Sequence, residues 1–332
     1  MTHYSLLITH YSLLITYPSL LITHHSLLSP QSSVLITRYS LGMKPKKHLG
    51  QHFLVEPAFI RKIVETADIQ PEEVIIEIGP GTGKLTEALL QQGGRVFAIE
   101  LDQELVTLLR SRFASQERFI LYHADALAFP YASLPQPAKV VANLPYNIAS
   151  PLILKLLGYG PAFSRLLLTV QREVAERIVA GPGGKEYGVL SLLVQYRARA
   201  RICFRIPPTA FSPRPRVFSA LLELVPYRTP PVVIEQEASF IRTIKAAFAH
   251  RRKTVKNSLK QVLGTRVSEQ TLREVLVQAG IEERRRAETL SLEDFARLSN
   301  LLFSSLSSNA AVSRSDPSGS VRRSDRTRLQ EL

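Results

Sequence analysis

From residue 57 onward, apolar positions switch repeatedly between helical and strand periods. Ala58 to Ala67 has helical spacing, and Val74 to Ile78 is a short apolar run ending in a glycine turn, the pattern of a buried strand. A helix over Leu85 to Gln92, a strand over Arg95 to Ile99 and a helix over Leu105 to Phe113 follow, then strands near Phe119 to Tyr122 and Lys139 to Ala142. Arg165 to Ile178 reads as a strand running into a helix, and Gly181-Pro-Gly-Gly184 as a loop. The alternation predicts a parallel, doubly wound α/β sheet with ligands at the carboxyl ends of its strands.

After Pro226 the pattern changes. Residues 236–303 read as short helices, with Phe240, Ile241, Ile244 and Phe248 at helical spacing and Ser291-Leu-Glu-Asp294 as a capping box. The tail over 304–332 is Ser-rich, lacks apolar periodicity and is expected to be disordered. At the other end, residues 1–42 repeat a heptad: His3 to Thr9, His10 to Thr16, Tyr17 to Thr23, then degraded copies. Arg38 is the only Lys or Arg in this stretch, which argues against a signal peptide, and its apolar residues stand side by side rather than at coiled-coil positions. His-Tyr-Ser-Leu-Leu-Ile-Thr can be encoded as CAT TAC TCA TTA CTC ATT ACT, a tandem repeat of CATTACT. Residues 1–42 therefore read as a translated noncoding repeat or a disordered extension, with Met43 the expected natural start. The expected organisation is a catalytic domain over 43–227 and a small all-helical domain over 228–303.

Composition narrows the partner. The 42 Lys and Arg exceed the 28 Asp and Glu, a formal net charge of +14 that points to a polyanion without choosing among RNA, DNA and anionic membrane. The single cysteine, Cys203, excludes an intrachain disulfide framework and a multi-cysteine metal site, so no metal is expected and a cytoplasmic location fits. No apolar run is long enough for a spanning helix, and no membrane is expected as a partner.

The turn Glu77-Ile-Gly79-Pro-Gly81-Thr-Gly83 follows a strand and precedes a helix, where glycine lets backbone approach a ligand. A phosphate-cradling P-loop fails, because Gly79 is too close to Gly83 and Leu85 follows Lys84. The dinucleotide pattern fails too, since Lys84 stands where its third glycine belongs. The G-x-G-x-G that remains resembles motif I of the S-adenosylmethionine methyltransferases. Glu100, at the end of the next strand, can accept from both ribose hydroxyls, and Asp125, after the third strand, from an adenine amino group. Taken singly, either acid would more often be a helix cap or a solvated strand end.

Asn143-Leu-Pro-Tyr146 follows the fourth strand. An exocyclic adenine nitrogen is a poor nucleophile because its lone pair is delocalised into the ring. Acceptors on its hydrogens localise that pair: the Asn143 side-chain carbonyl and the Leu144 backbone carbonyl, held by Pro145, can supply two, while Tyr146 stacks on an extruded purine. The tetrapeptide resembles motif IV of the adenine-N6 methyltransferases, in the variant of the ribosomal RNA adenine dimethyltransferases. Lys47 to Leu54, Val170 to Arg177, Gly184 to Ser191, Phe211-Ser-Pro-Arg-Pro-Arg-Val217 and Phe248-Ala-His-Arg-Arg-Lys-Thr254 look like further blocks of that family, covering roughly residues 44 to 300.

The resemblance implies a Rossmann-like S-adenosylmethionine methyltransferase sheet with a small C-terminal all-helical domain. It implies cofactor contacts at His52, Leu54, Gly79, Gly81, Glu100, Asp125 and Asn143, and a second stacking aromatic at Phe211, which could equally be a core anchor. Position 52 is asparagine in many relatives. The implied reaction is dimethylation of two adjacent adenines near the 3′ end of 16S ribosomal RNA within the immature small subunit, with a role in its biogenesis and no obligate protein partner. Arg251, Arg252, Lys253 and Lys256 are the expected phosphate contacts. Arg197, Arg199, Arg201 and Arg205 alternate with apolar residues as an edge strand does. The rivals are a large-subunit (23S) adenine dimethylase of the macrolide-resistance type, a DNA adenine methyltransferase, and a largely noncatalytic small-subunit assembly factor.

Overall fold

The computed structural model describes residue 46, residues 50–250 and residues 252–312. The heptad repeats, Met43, Arg251 and the tail after Val312 lie outside the described residues. The elements are β1 (Phe53–Leu54), α1 (Pro57–Ala67), β2 (Val74–Ile78), α2 (Lys84–Gln91), β3 (Arg95–Glu100), α3 (Gln103–Arg112), β4 (Phe119–His123), β5 (Ala138–Asn143), α4 (Ala149–Leu157), β6 (Phe163–Gln171), α5 (Arg172–Val179), α6 (Val189–Arg197), β7 (Ala198–Ile206), β8 (Phe211–Ser212), β9 (Ser219–Pro226), α7 (Glu237–Phe248), α8 (Val255–Leu263), α9 (Glu269–Gln278) and α10 (Leu292–Val312).

One sheet has the strand order β4-β3-β2-β5-β6-β9-β7, and β1 pairs antiparallel with β8 in a separate ribbon. Strand β2 is parallel to both β3 and β5, and β3 to β4. From β2 the chain proceeds outward to β3 and β4, then returns to β2's other side as β5. The carboxyl ends of β2 and β5 therefore flank a topological switch point, where a doubly wound sheet opens a ligand crevice. These strands are apolar on both faces, as burial between helical layers requires: Ile75, Ile76, Val96 and Val140 are fully buried.

The chain divides into two compact units. The first comprises Met1–Leu152, Leu166–Val170 and Arg205–Leu221; the second comprises Ile153–Arg165, Gln171–Phe204 and Leu222–Leu332. In the first, Pro57 opens α1 and Asp68 ends it in the left-handed conformation, while Ile60, Ile63, Val64 and Ala67 form its buried face. In the second, Phe240, Ile244, Leu259, Leu276 and Phe295 build a core on α7 to α10. The capping box is present: the Ser291 N–H donates to Asp294 Oδ2 at 3.1 Å, and the Asp294 N–H to Ser291 Oγ at 3.2 Å. Helix α10 runs past residue 304, where the sequence pattern placed the start of a disordered tail, because Leu301 and Leu306 continue to pack against that core. Strand β7 stands at a sheet edge with Arg199, Arg201 and Arg205 exposed, and buried Glu223 on β9 accepts from both Arg165 and Arg201. Among the described residues no helix is long and apolar enough to cross a membrane, and no cluster of His, Cys, Asp and Glu could hold a metal ion.

Candidate active site

A cavity of about 200 Å³ opens at the switch point, lined by Gly50 to Phe53, the glycine turn, Glu100, Leu101, Asp125 and, after β5, Asn143, Leu144, Pro145, Asn147 and Ile148. Its floor is the turn after β2. Gly79 has φ +66° and its N–H donates to the Ile99 carbonyl at 2.9 Å, tying the turn to β3. Gly81 has φ +58°, and a Cβ there would stand 2.7 Å from Phe53 Cδ1. Both the left-handed backbone and the ring beneath it therefore require glycine.

Glu100 ends β3 and is 6% exposed. Its Oε1 accepts from the N–H groups of Leu101 (2.8 Å) and Asp102 (2.9 Å), and Oε2 takes only a long contact from the Gly81 N–H (3.4 Å). Burial pushes this carboxyl up, against the pull of those three N–H groups. Oε2 keeps acceptor capacity toward the cavity. Asp125 follows β4 and is exposed; its Oδ1 accepts from the Leu127 N–H at 2.8 Å, a local turn that fixes the carboxylate at the rim. Apolar walls come from Ile78, Ile99, Leu101, Leu105, Ala126 and Leu127. Glu77 is 1% exposed beneath the turn; burial drives its carboxyl up to about 8, and the Thr86 hydroxyl donates to it at 2.7 Å.

Gly50 to His52, just before β1, line this cavity, and Lys46 and Gln51 are fastened at α3. Lys46 Nζ contacts Asp102 Oδ1 at 2.7 Å, Gln51 Nε2 donates to Asp102 Oδ2 at 3.1 Å, and Asp102 caps α3 through the Glu104 N–H. Burial disfavours the Asp102 carboxylate, but these donors together outweigh it and hold the group below its usual range. Leu54 is 6% exposed, pairs with Phe211 across the β1–β8 ribbon and lines a smaller hollow under the glycine turn with Glu77 and Asn143.

At the end of β5, the Asn143 amide nitrogen donates to the His52 carbonyl at 2.8 Å. Its Oδ1 is buried and accepts nothing from the described residues. An unpaired buried acceptor costs about 1–3 kcal/mol, so Oδ1 has acceptor capacity that no described residue uses. Leu144 is held by its N–H to the Thr169 carbonyl at 3.1 Å. The Tyr146 hydroxyl bonds Ser219 Oγ at 2.6 Å, and its ring stacks on that of His52 with centroids 5.2 Å apart. His52 Nδ1 lies 2.7 Å from the Pro213 carbonyl, which can only accept, so Nδ1 carries the proton. Phe211 is 4% exposed, and neither it nor Tyr146 lines the main cavity.

The structure thus gathers His52, Gly79, Gly81, Glu100, Asp125 and Asn143 around one hollow and sets Leu54 and Phe211 behind it. Phe53, Gln51, Asp102 and Ser219 were not anticipated as site residues. The Asp-x-Glu beginning of α3 was the available signal for Asp102; Ser219 carried none. In the second unit, Arg252 and Lys253 are exposed and Lys253 donates to Gln261 at 2.8 Å. Lys256, expected to face phosphate, is instead only 14% exposed and engaged by Glu283 and Glu269.

The family model described as "Ribosomal RNA adenine dimethylase" matches residues 42–302. The "Ribosomal RNA small subunit methyltransferase A" of Syntrophotalea carbinolica is 44% identical over 261 residues, covering 78% of this chain and 97% of that protein. A dimethyladenosine transferase from Plasmodium falciparum has a crystal structure that superposes with a TM-score of 0.65 at 26% identity, covering 77% of this chain and 98% of the other. The 23S rRNA methyltransferase ErmE has the same fold, with a TM-score of 0.58 at 23% identity over 76% of this chain and 99% of its own.

Proposed function

Because the chain belongs to the ribosomal RNA adenine dimethylase family, we propose that it dimethylates N6 of adenines in the ribosomal RNA of the small subunit. It is an S-adenosylmethionine-dependent enzyme acting on ribosomal RNA. The finer assignment is the pair of adjacent adenines near the 3′ end of 16S RNA, methylated in the cytoplasm within an immature subunit. The relatives' small-subunit name supports the choice of subunit, and the +14 charge a polyanionic substrate. The single observation that carries the catalytic reading is the buried, unpartnered Asn143 Oδ1 at the carboxyl end of β5.

The residues present fit the cofactor. The left-handed glycine turn brings backbone without a side chain to the cavity, Glu100 Oε2 has acceptor capacity for ribose hydroxyls, and Asp125 at the rim can accept from the adenine amino group. When bound, S-adenosylmethionine supplies an electrophilic methyl group on a sulfonium. The chain's own residues prepare the nucleophile. Asn143 Oδ1 and the Leu144 carbonyl accept the amino hydrogens of the adenine and localise its lone pair, with Pro145 restricting their geometry. Tyr146 stacks on the base, its ring angle set by Ser219. Phe211 is assigned the second face; at 4% exposure, a base touches it only after a neighbouring side chain moves. His52 contributes its carbonyl to orient Asn143 and its ring to hold Tyr146.

In the same proposal residues 43–227 form the catalytic domain and 228–303 a helical RNA-binding domain. Arg252 and Lys253 are its phosphate contacts, Lys256 is taken up by Glu283 and Glu269, and Arg251 lies outside the described residues. The test is transfer of labelled methyl from S-adenosylmethionine to unmethylated small subunits by the wild type and by Asn143→Ala. Label from the wild type alone supports the reading. Equal subunit binding with no transfer by either protein would favour a noncatalytic assembly factor.

A further inference from the structure

The turn between β8 and β9, residues 213–218, does nothing in the mechanism above, yet it is fastened to the site at both ends. Before it, the Ala210 carbonyl accepts from the Val55 N–H at 2.9 Å; within it, the Pro213 carbonyl accepts from His52 Nδ1 at 2.7 Å; after it, Ser219 Oγ bonds the Tyr146 hydroxyl at 2.6 Å. Pro215 is buried between Arg214 and Arg216, both exposed. Among the described residues neither guanidinium has an ion-pair or hydrogen-bond partner, unlike Lys256, Lys260 and Arg201, which all face carboxylates. On a proline-stiffened turn the backbone that carries these two cations loses little conformational entropy when they engage a ligand. Val217 and Phe218 follow directly, 43% and 45% exposed.

We propose that Arg214 and Arg216 form a phosphate clamp that grips the RNA backbone beside the extruded adenine, with Val217 and Phe218 as an apolar platform for a neighbouring base. The proposal rests on the ribosomal RNA substrate inferred above and adds to it the element that positions the strand at the site. Guanidinium suits the task because its planar donors match phosphate oxygens two at a time, and an exposed aromatic gives a sequence-tolerant stacking surface. A strand held here has its target base fixed opposite Tyr146, whose hydroxyl shares Ser219 with the turn.

The test compares the full-length wild type, Arg214→Gln/Arg216→Gln and Arg214→Lys/Arg216→Lys in equilibrium binding to a single-stranded adenine-containing ribosomal RNA fragment over a salt series. Binding of S-adenosylhomocysteine is measured alongside. Two lost phosphate contacts reduce the slope of log affinity against log salt by about 1.4, so the wild type's advantage shrinks about sevenfold between roughly 50 and 200 mM salt. The lysine pair keeps most of the slope, and S-adenosylhomocysteine binding is unchanged in both. An unaltered slope in the glutamine pair, or equal loss of S-adenosylhomocysteine binding, overturns the clamp. Wild-type transfer to small subunits is scored separately, so a wrong substrate assignment shows as absent transfer while the slopes still judge the clamp.

Discussion

The Asn143 amide nitrogen donates to the His52 carbonyl at 2.8 Å, and that bond determines which end of the side-chain amide is the nitrogen. A carbonyl accepts only, so the amide nitrogen is taken up by His52 and Oδ1 is left as the acceptor without a partner among the described residues. Asn143→Ala removes the acceptor and is expected to lower kcat by about 10² to 10³, the usual cost of deleting one preorganised polar group at a reacting centre. S-adenosylhomocysteine affinity should change far less. Asn143→Asp sets a carboxylate against the His52 carbonyl and should lose activity together with thermal stability. Steady-state kinetics and thermal denaturation measure both.

Tyr146 separates stacking from hydrogen bonding. Tyr146→Phe loses only the bond to Ser219, about 1 kcal/mol of stability, and should keep most activity. Tyr146→Ala loses the ring, and kcat/KM should fall about 5- to 150-fold, the range of one base stack. Equal effects of the two substitutions would remove Tyr146 as a stacking platform.

Gly81→Ala tests the cofactor floor. The left-handed backbone alone costs about 1–2 kcal/mol with a side chain present, and the new Cβ would meet Phe53. Calorimetry should show S-adenosylhomocysteine binding weakened about tenfold or more. RNA-fragment binding should be nearly intact.

Glu77 gives a pH signature. Burial raises its folded-state pKa to about 8 from 4.5, so the folded chain holds a proton that the unfolded chain releases. Its contribution to stability is complete below about 4.5 and is lost as pH rises through about 8. Chemical unfolding across that window should show wild-type stability declining more steeply than that of Glu77→Gln, whose amide oxygen still accepts from Thr86. Parallel profiles would mean that Glu77 stays ionised in the folded chain. Glu100 is raised in the same direction, so the wild-type decline is shared and the Gln variant isolates one part.

The sheet around the site was legible because its strands are largely apolar runs closed by glycine or by a polar residue. The run from Val74 to Ile78 matches β2, and β3 and β4 each extend one residue beyond the expected end. The β1–β8 ribbon was not legible, since two-residue strands have no period and this pair joins residues far apart in sequence. Helices α4 and α6 lie in segments too evenly apolar to show a polar face, and β9 hides its one acid, Glu223, between two arginines. At the site, residue types at strand ends indicated Glu100, Asp125 and Asn143. His52 was anticipated for its side chain, whereas its backbone carbonyl sets the Asn143 orientation. Side-chain chemistry in a sequence carries no sign of such a backbone role. Lys256 likewise read as a free cation because Glu269 and Glu283 reach it only in three dimensions.

The most direct test is nucleoside mass spectrometry after incubating the full chain and S-adenosylmethionine with unmethylated small subunits, with large-subunit RNA and duplex DNA in parallel. N6,N6-dimethyladenosine in the small-subunit RNA alone is the predicted result. Dimethyladenosine confined to large-subunit RNA, or methyladenine in DNA, would contradict it.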